Sequence, residues 1–196
     1  MPFTQTPTIA GDLVLLRPPS TADVVALRAG MADRDVTILT GSTHSSAATG
    51  PPDRDIDKLQ QIYALWAKDP TRLVWAIVDR AADIVIGEVL LTELDEGNRS
   101  CGFRIWIAGA HGRGLGTEAT RLAVRHGFES CGLNRIQLEV YAFNPRARRV
   151  YEKVGFVLEG TMRQALRFDD GWVDAHLMAV LAEDWRRHRG YVGAAG

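Results

Sequence analysis

CGFRIWIAGAHGRGLGTEATRLAVRHGF, residues 101–128, changes period in its middle. As far as Ile107 it is apolar, β-branched and aromatic, which reads as a strand. Beyond the glycines, Leu115, Ala119, Leu122 and Ala123 recur at i, i+4, i+7 and i+8, one face of a helix that Gly132 is expected to end. Between the two lies HGRGLG. Glycines at 112, 114 and 116 let backbone N–H groups come close to a ligand, and the helix N-terminus behind them favours negative charge. A diphosphate fits that environment. The dinucleotide pattern GxGxxG fails because Thr117 stands at its last glycine, and GxxxxGK[ST] fails because no lysine follows. On spacing alone, a tight strand-to-helix connection without a ligand explains the glycines equally well.

Upstream, VWAIVD, ADIVIGEVLLTEL and SCGFRIWIA are strand-like runs divided by turn residues such as DEGN, so a three-stranded meander is expected. Leu13 to Leu16 form an earlier strand; Pro18 and Pro19 stop it, and Ser20 can cap a helix to about Met31. Residues 40 to 53 read as a mobile loop. Ile56, Leu59, Ile62, Tyr63 and Trp66 then mark an amphipathic helix from Asp55 to Lys68, and loop and helix together could border a substrate cleft. Downstream, RIQLEVYAF alternates as a strand does, with Glu139 and Gln137 on the face opposite Ile136, Leu138 and Val140. Asn144 and Pro145 suit the N-cap and first position of a helix whose stripe is Ala147, Val150, Tyr151 and Val154, closed by Gly155. Two strands, Phe156 to Phe168 and Trp172 to Leu181, joined by DDG, and a charged helical tail complete a mixed α/β chain, read as one domain over 1–196.

Composition is ordinary for a globular protein: 46% hydrophobic and 24% charged. The net charge of −1 supplies no global positive field, which argues against nucleic acid as a partner. Cys101 and Cys131 lack disulfide or CxxC spacing and read as reduced, and the five histidines show no metal-ligand interval, so no metal is expected. MPFTQTPTIAGDL carries no basic region followed by an apolar run, and nowhere do 18 apolar residues run together, so a cytoplasmic location without membrane association is expected.

Residues 101–128 resemble the acetyl-coenzyme A motif of the GNAT (N-acetyltransferase) superfamily, [RQ]xxGx[GA], which here runs His111, Gly112, Arg113, Gly114, Leu115, Gly116. His111 stands where the family has Arg or Gln. The likeness extends over nearly the whole chain: GDLVLLRPPSTADVVAL, from Gly11, and NPRARRVYEKVGFVLEGTMRQALRFDDGWVDAHLMAVL, from Asn144, are similar to the RimJ/RimL-type ribosomal-protein N-terminal acetyltransferases. It implies a GNAT fold, a largely antiparallel mixed sheet splayed between its fourth and fifth strands and flanked by helices. It also implies acetyl-coenzyme A in the gap, bound by residues 111–117, including Thr117, and by the exposed backbone of Ile105, Trp106 and Ile107. Asn144 would hydrogen-bond the pantetheine amide. Arg146, Arg148 and Arg149 form a basic run that is either a solvated face or a contact to the 3′-phosphate, Arg149 being assigned to the cofactor.

The implied reaction passes acetyl to a primary amine by direct attack. An ammonium must first lose its proton, so a base is needed, and the leaving thiolate gains from a proton donor. Tyr151 is the expected donor, the alternative being a packed aromatic. Glu139 or Glu88, the latter within the apolar run IVIGEVLL, is the expected base, against ordinary solvated or partly buried carboxylates. Trp75, Trp106 and Trp172 read as core or cleft aromatics, and Cys131 as structural rather than nucleophilic. The expected acceptor is a protein or peptide N-terminal amine. The alternatives are a small amine (polyamine, amino acid or antibiotic) or a coenzyme A-binding regulatory module without turnover. A homodimer is a further expectation of the resemblance.

Overall fold

A computed structural model describes Phe3 and residues 5–47, 55–109 and 112–192, the last five by backbone alone. Eight strands, β1 (Ile9–Ala10), β2 (Val14–Arg17), β3 (Leu73–Asp79), β4 (Ile84–Asp95), β5 (Ser100–Ile107), β6 (Arg135–Tyr141), β7 (Val157–Phe168) and β8 (Gly171–Leu181), form one sheet. Their spatial order is β1-β2-β3-β4-β5-β6-β8-β7. All neighbours are antiparallel except β5 and β6. The helices are α1 (Val24–Met31), α2 (Arg34–Leu39), α3 (Ile56–Trp66), α4 (Leu115–Glu129), α5 (Pro145–Val154) and α6 (Ala182–Val192).

Period-2 alternation sends the strands' side chains to two cores. Leu73, Trp75, Ile77, Val89 and Leu91 face the larger one, with Leu115, Ala119, Leu122 and Ala123 of α4 and Tyr151 and Val154 of α5. Val74 and Leu90 face the smaller, with Val24 and Leu27 of α1 and Leu59 and Tyr63 of α3. β3 is therefore buried along its whole length, which explains why VWAIVD is a continuous apolar run rather than an alternating one. Gly127 lets α4 press onto the sheet, since a Cβ there would lie 2.8 Å from Ile136 Cδ1.

The meander, the helix over Ile56–Trp66 and the closing hairpin follow the sequence reading. Four details differ. β1 adds a short strand at one edge, so the splayed pair are the fifth and sixth strands, not the fourth and fifth. Ser20 caps a 3-10 turn, Thr21–Asp23, before α1 begins, and α2 falls in a stretch too short for periodicity to reveal. Finally, α4 ends at Glu129 and Gly132 lies past it at φ +66°. Residues 48–53 of the expected loop lie outside the described residues.

Asp23 fastens the start of α1. Its Oδ1 and Oδ2 accept the Arg17 guanidinium at 2.8 and 2.5 Å, and the Ser20 N–H and hydroxyl donate at 2.6 and 2.7 Å. Burial alone would raise its pKa, but these donors outweigh it and hold the carboxyl at about 2. A carboxyl depressed in the fold contributes stability above its unfolded value of about 3.9 and loses it as pH falls through its folded value. Asp23→Asn is therefore expected to lower the urea midpoint at pH 7, with the gap to wild type shrinking from about pH 5 and closing near pH 2. A gap unchanged over that range would mean that the ion pair carries no pH-linked stability.

Candidate active site

β5 and β6 pair in parallel through Ser100↔Arg135, Cys101↔Ile136 and Gly102↔Gln137, and no further. Beyond that point the strands diverge around a cleft of about 1240 Å³, with Gly102 to Ile107 on one wall and Gln137 to Tyr141 on the other. Residues Phe103–Ile107 keep ladder partners on the β4 side. Toward β6 their edge is open, the arrangement in which an extended ligand can add as a strand. Ile105, Trp106 and Ile107 are half-buried and line this wall.

At one end of the cleft lies the glycine turn. Gly112 and Gly114 adopt φ +78° and +82°, a left-handed backbone that costs a side-chain-bearing residue about 1–2 kcal/mol, and Gly114 is the N-cap of α4. A Cβ at Gly112 would meet nothing within 4 Å. Gly112, Gly114, Leu115, Gly116 and Thr117 all line the cleft, beside the first turn of a 15-residue helix. Main-chain donors, an N-terminal dipole and open space fit a diphosphate. Ala110 and His111 lie outside the described residues. The Arg113 side chain is not on the cleft wall: its guanidinium bonds the Asp79 carboxylate, Nη1 to Oδ2 at 2.6 Å and Nη2 to Oδ1 at 3.3 Å. Of the basic run, Arg146 and Arg149 line the cleft, as does Lys153, while Arg148 bonds Glu152 at 2.9 Å.

α5 supplies two groups from the β6 side. Asn144 Oδ1 accepts the Ala147 N–H at 3.0 Å, the expected cap, and its residue also lines the cleft. Two turns further on, Tyr151 packs edge-on against Phe103, with ring centroids 6.1 Å apart. Desolvation pushes its pKa well above the usual tyrosine value, so the hydroxyl stays protonated at neutral pH. Tyr151 lines the cleft, and its hydroxyl makes no hydrogen bond among the described residues. Packed ring and reachable hydroxyl thus coexist.

The sheet register puts Glu88, Arg104 and Trp106 on the α1/α3 face, and alternation along β6 adds Gln137 and Glu139. Glu88 is only 6% exposed, and its Oε2 accepts the Tyr63 hydroxyl at 2.6 Å while Oε1 accepts Trp106 Nε1–H at 2.9 Å. Glu139, by contrast, is exposed on the cleft wall, and its carboxylate makes no hydrogen bond among the described residues. Met31, Leu59, Ile62 and Trp66 form an apolar wall near Asp35 and Glu88. Sequence reasoning missed Tyr63 as a polar partner because it sits on an apolar helical stripe. Asp35 was missed because α2 itself was.

Trp75 is buried in the main core, but Trp172 is 60% exposed and lines no cleft, contrary to expectation: it sits beside the tip of the β7–β8 hairpin. Burial raises the thiol pKa of both Cys101 and Cys131, which disfavours a thiolate nucleophile at either. Among the described residues no cluster of three His, Cys, Asp or Glu could hold a metal, and no helix is long and apolar enough to cross a membrane.

The acetyltransferase (GNAT) domain profile matches residues 14–157. The spermidine N(1)-acetyltransferase of Vibrio cholerae is 30% identical over 131 residues, 66% of this chain and 75% of that protein. The ribosomal-protein-serine acetyltransferase of Escherichia coli is 28% identical over 102 residues, 52% of this chain and 57% of its own. Across these and two further curated relatives, the chain spans between 55% and 75% of the relative's length. A crystal structure of the V. cholerae spermidine N-acetyltransferase in complex with CoA and spermine superposes with a TM-score of 0.78 at 24% identity, covering 90% of this chain and 99% of that one.

The Asn144 cap gives a direct check on the α5 geometry. Asn144→Ala is expected to cost about 1 kcal/mol of unfolding free energy, whereas Asn144→Asp, whose carboxylate also caps, should stay close to wild type. Equal losses in both variants, measured by urea denaturation, would contradict the cap.

Proposed function

Because the chain belongs to the acetyltransferase (GNAT) domain family, whose profile spans residues 14–157, we propose that it is an acetyl-coenzyme A-dependent N-acetyltransferase acting on a primary amine. The observation that carries this reading is the cleft itself, which begins where β5 and β6 stop pairing and runs from the glycine turn to Tyr151 and Glu139. In it the backbone of residues 112–117 would hold the diphosphate, Arg149 would offer charge to an outlying phosphate, and Asn144 and the open edge of Ile105–Ile107 would hold the pantetheine arm. The Arg113 contribution would come through its main chain, since its side chain is engaged with Asp79.

Transfer forms one bond and breaks one. The amine nitrogen attacks the thioester carbonyl carbon; the N–C bond forms, the C–S bond breaks, and the nitrogen's proton must leave. Glu139, exposed and with a carboxylate that makes no hydrogen bond among the described residues, suits the base, directly or through a water. Glu88 has both carboxylate oxygens occupied by neutral donors; that suits anchoring a substrate ammonium more than taking up a proton. The sulfur takes a proton from the Tyr151 hydroxyl, which burial keeps neutral. Tyr151→Phe should lower kcat at least about a hundredfold at unchanged thermal midpoint, the low end of the range for loss of a positioned acid. Unchanged kcat and pH profile would remove Tyr151 from the chemistry.

The acceptor is a cation before it reacts, and the cleft carries carboxylates at Asp35, Glu88, Glu93 and Glu139. A peptide N-terminus, the first expectation from the sequence, offers one charge at its reacting end. A polyamine offers several, and the V. cholerae relative is a spermidine N(1)-acetyltransferase. Carboxylates spread along the cleft favour the polyamine reading; the E. coli relative keeps the protein terminus, and with it the RimJ/RimL likeness, as the second. Acetyl-coenzyme A consumption measured against spermidine, spermine and short Ser- or Ala-initiated peptides separates them. The expected result is a kcat/KM at least tenfold higher for a polyamine; the reverse order would install the peptide, and no turnover with either would leave only coenzyme A binding.

A further inference from the structure

Gly112 and Gly114 contribute no side chains, and both sit at positive φ, so the turn gains little rigidity from its own chemistry. Among the described residues of the turn, Arg113 alone reaches out of it, to Asp79 at the end of β3. Asp79 is a firm anchor. Its side chain is 3% exposed, its Oδ1 also accepts the Ala81 N–H at 3.0 Å, and the guanidinium holds its carboxyl below the usual range.

The far side of the turn is tied to the same place. Glu118, in the first turn of α4, accepts the backbone N–H groups of Asp12, Leu13 and Val14 at 3.0, 2.7 and 2.7 Å. Val14 stands opposite Asp79 in the β2–β3 ladder, and the Arg80 N–H donates to the Leu13 carbonyl. A ring of contacts therefore runs from α4 through Glu118 to β2, across to the end of β3, and back through Asp79 and Arg113 to the glycines. Among the described residues it closes through that last pair.

Resting on the acetyltransferase reading, we infer that Asp79 is a positioning residue for the cosubstrate: acting through Arg113, it holds the Gly112–Gly116 main chain in the form that receives a diphosphate. The consequence runs against the usual assumption for an arginine in a phosphate-binding turn. If Arg113 served the phosphate directly, Asp79 would compete with the ligand for its guanidinium, and neutralising Asp79 would tighten binding. If the pair preorganises the backbone, the same change weakens binding, because the turn must then be ordered at the ligand's expense.

The test is titration calorimetry of the whole chain with coenzyme A, alongside steady-state kinetics, for wild type, Asp79→Asn, Arg113→Ala and the double variant. Asp79→Asn should raise the coenzyme A Kd and the acetyl-coenzyme A KM about tenfold while leaving kcat at saturation within about twofold. Arg113→Ala, at a half-exposed side chain that the fold tolerates, should do the same, and the double variant should be no worse than either single one. Arg113→Lys should recover part of the loss, as a single charge without the fork. Tighter binding by Asp79→Asn, or additive losses in the double variant, would overturn the inference. So would wild-type affinity in Arg113→Ala, which decides the matter even should Asp79→Asn fail to fold. Absence of coenzyme A binding by the wild type would instead sink the acetyltransferase reading on which this one rests.

Discussion

After Gly102 and Gln137 the fifth and sixth strands of an eight-stranded sheet stop pairing, and the remaining architecture can be read as what makes that interruption tolerable. Parting strands leave backbone donors and acceptors without partners in the centre of the molecule, a position where such groups are expensive unless water or a ligand reaches them. β5 bears the break because β4 holds its other edge through to Ile107. β6 bears it because β8 pairs with its whole length, from Arg135↔Leu181 to Tyr141↔Ala175. Two half-sheets thus stand firm on either side of a gap, and the gap is open at both faces.

The two faces carry different chemistry because alternation along each strand forces them to. On the α4 and α5 side, the open edge of β5 leads from the glycine turn towards Tyr151, with cations at Arg146, Arg149 and Lys153 on the cleft wall. Toward α1 and α3, Glu88 and Glu139 meet an apolar and aromatic wall. The two faces are not uniform in sign, however, since Arg104 stands with Glu88 and Trp106 on the α1/α3 side. Glu88 and Glu139 differ in surroundings, one gripped by Tyr63 and Trp106 and the other exposed at the wall.

Where the sequence carried strong period, its reading and the structure agree: the β3–β4–β5 meander, the stripe of α4, the alternation of β6, and the Asn-Pro start and glycine end of α5. These signals are local, and each is set by a few neighbouring residues. The misses are of another kind. A two-residue strand and a six-residue helix hold too few residues to show period, and the exposure of Trp172 depends on how the hairpin extends from the sheet. Partnerships across long separations escaped altogether. Arg113 with Asp79, Tyr63 and Trp106 with Glu88, and Glu118 with the turn at Asp12 are each made by the sheet's topology, not by spacing. So the cleft was legible from motifs, while the groups that brace it were not.

The central claim is that the open edge of β5 and the glycine turn receive one extended, diphosphate-bearing ligand together. Amide hydrogen exchange followed by mass spectrometry, with and without coenzyme A, addresses it segment by segment. Peptides covering Phe103–Ile107 and Gly112–Thr117 should both become slower to exchange on adding coenzyme A, with little change in β7. Protection confined to the glycine turn, with Phe103–Ile107 exchanging as before, would contradict a ligand laid along the parted strand.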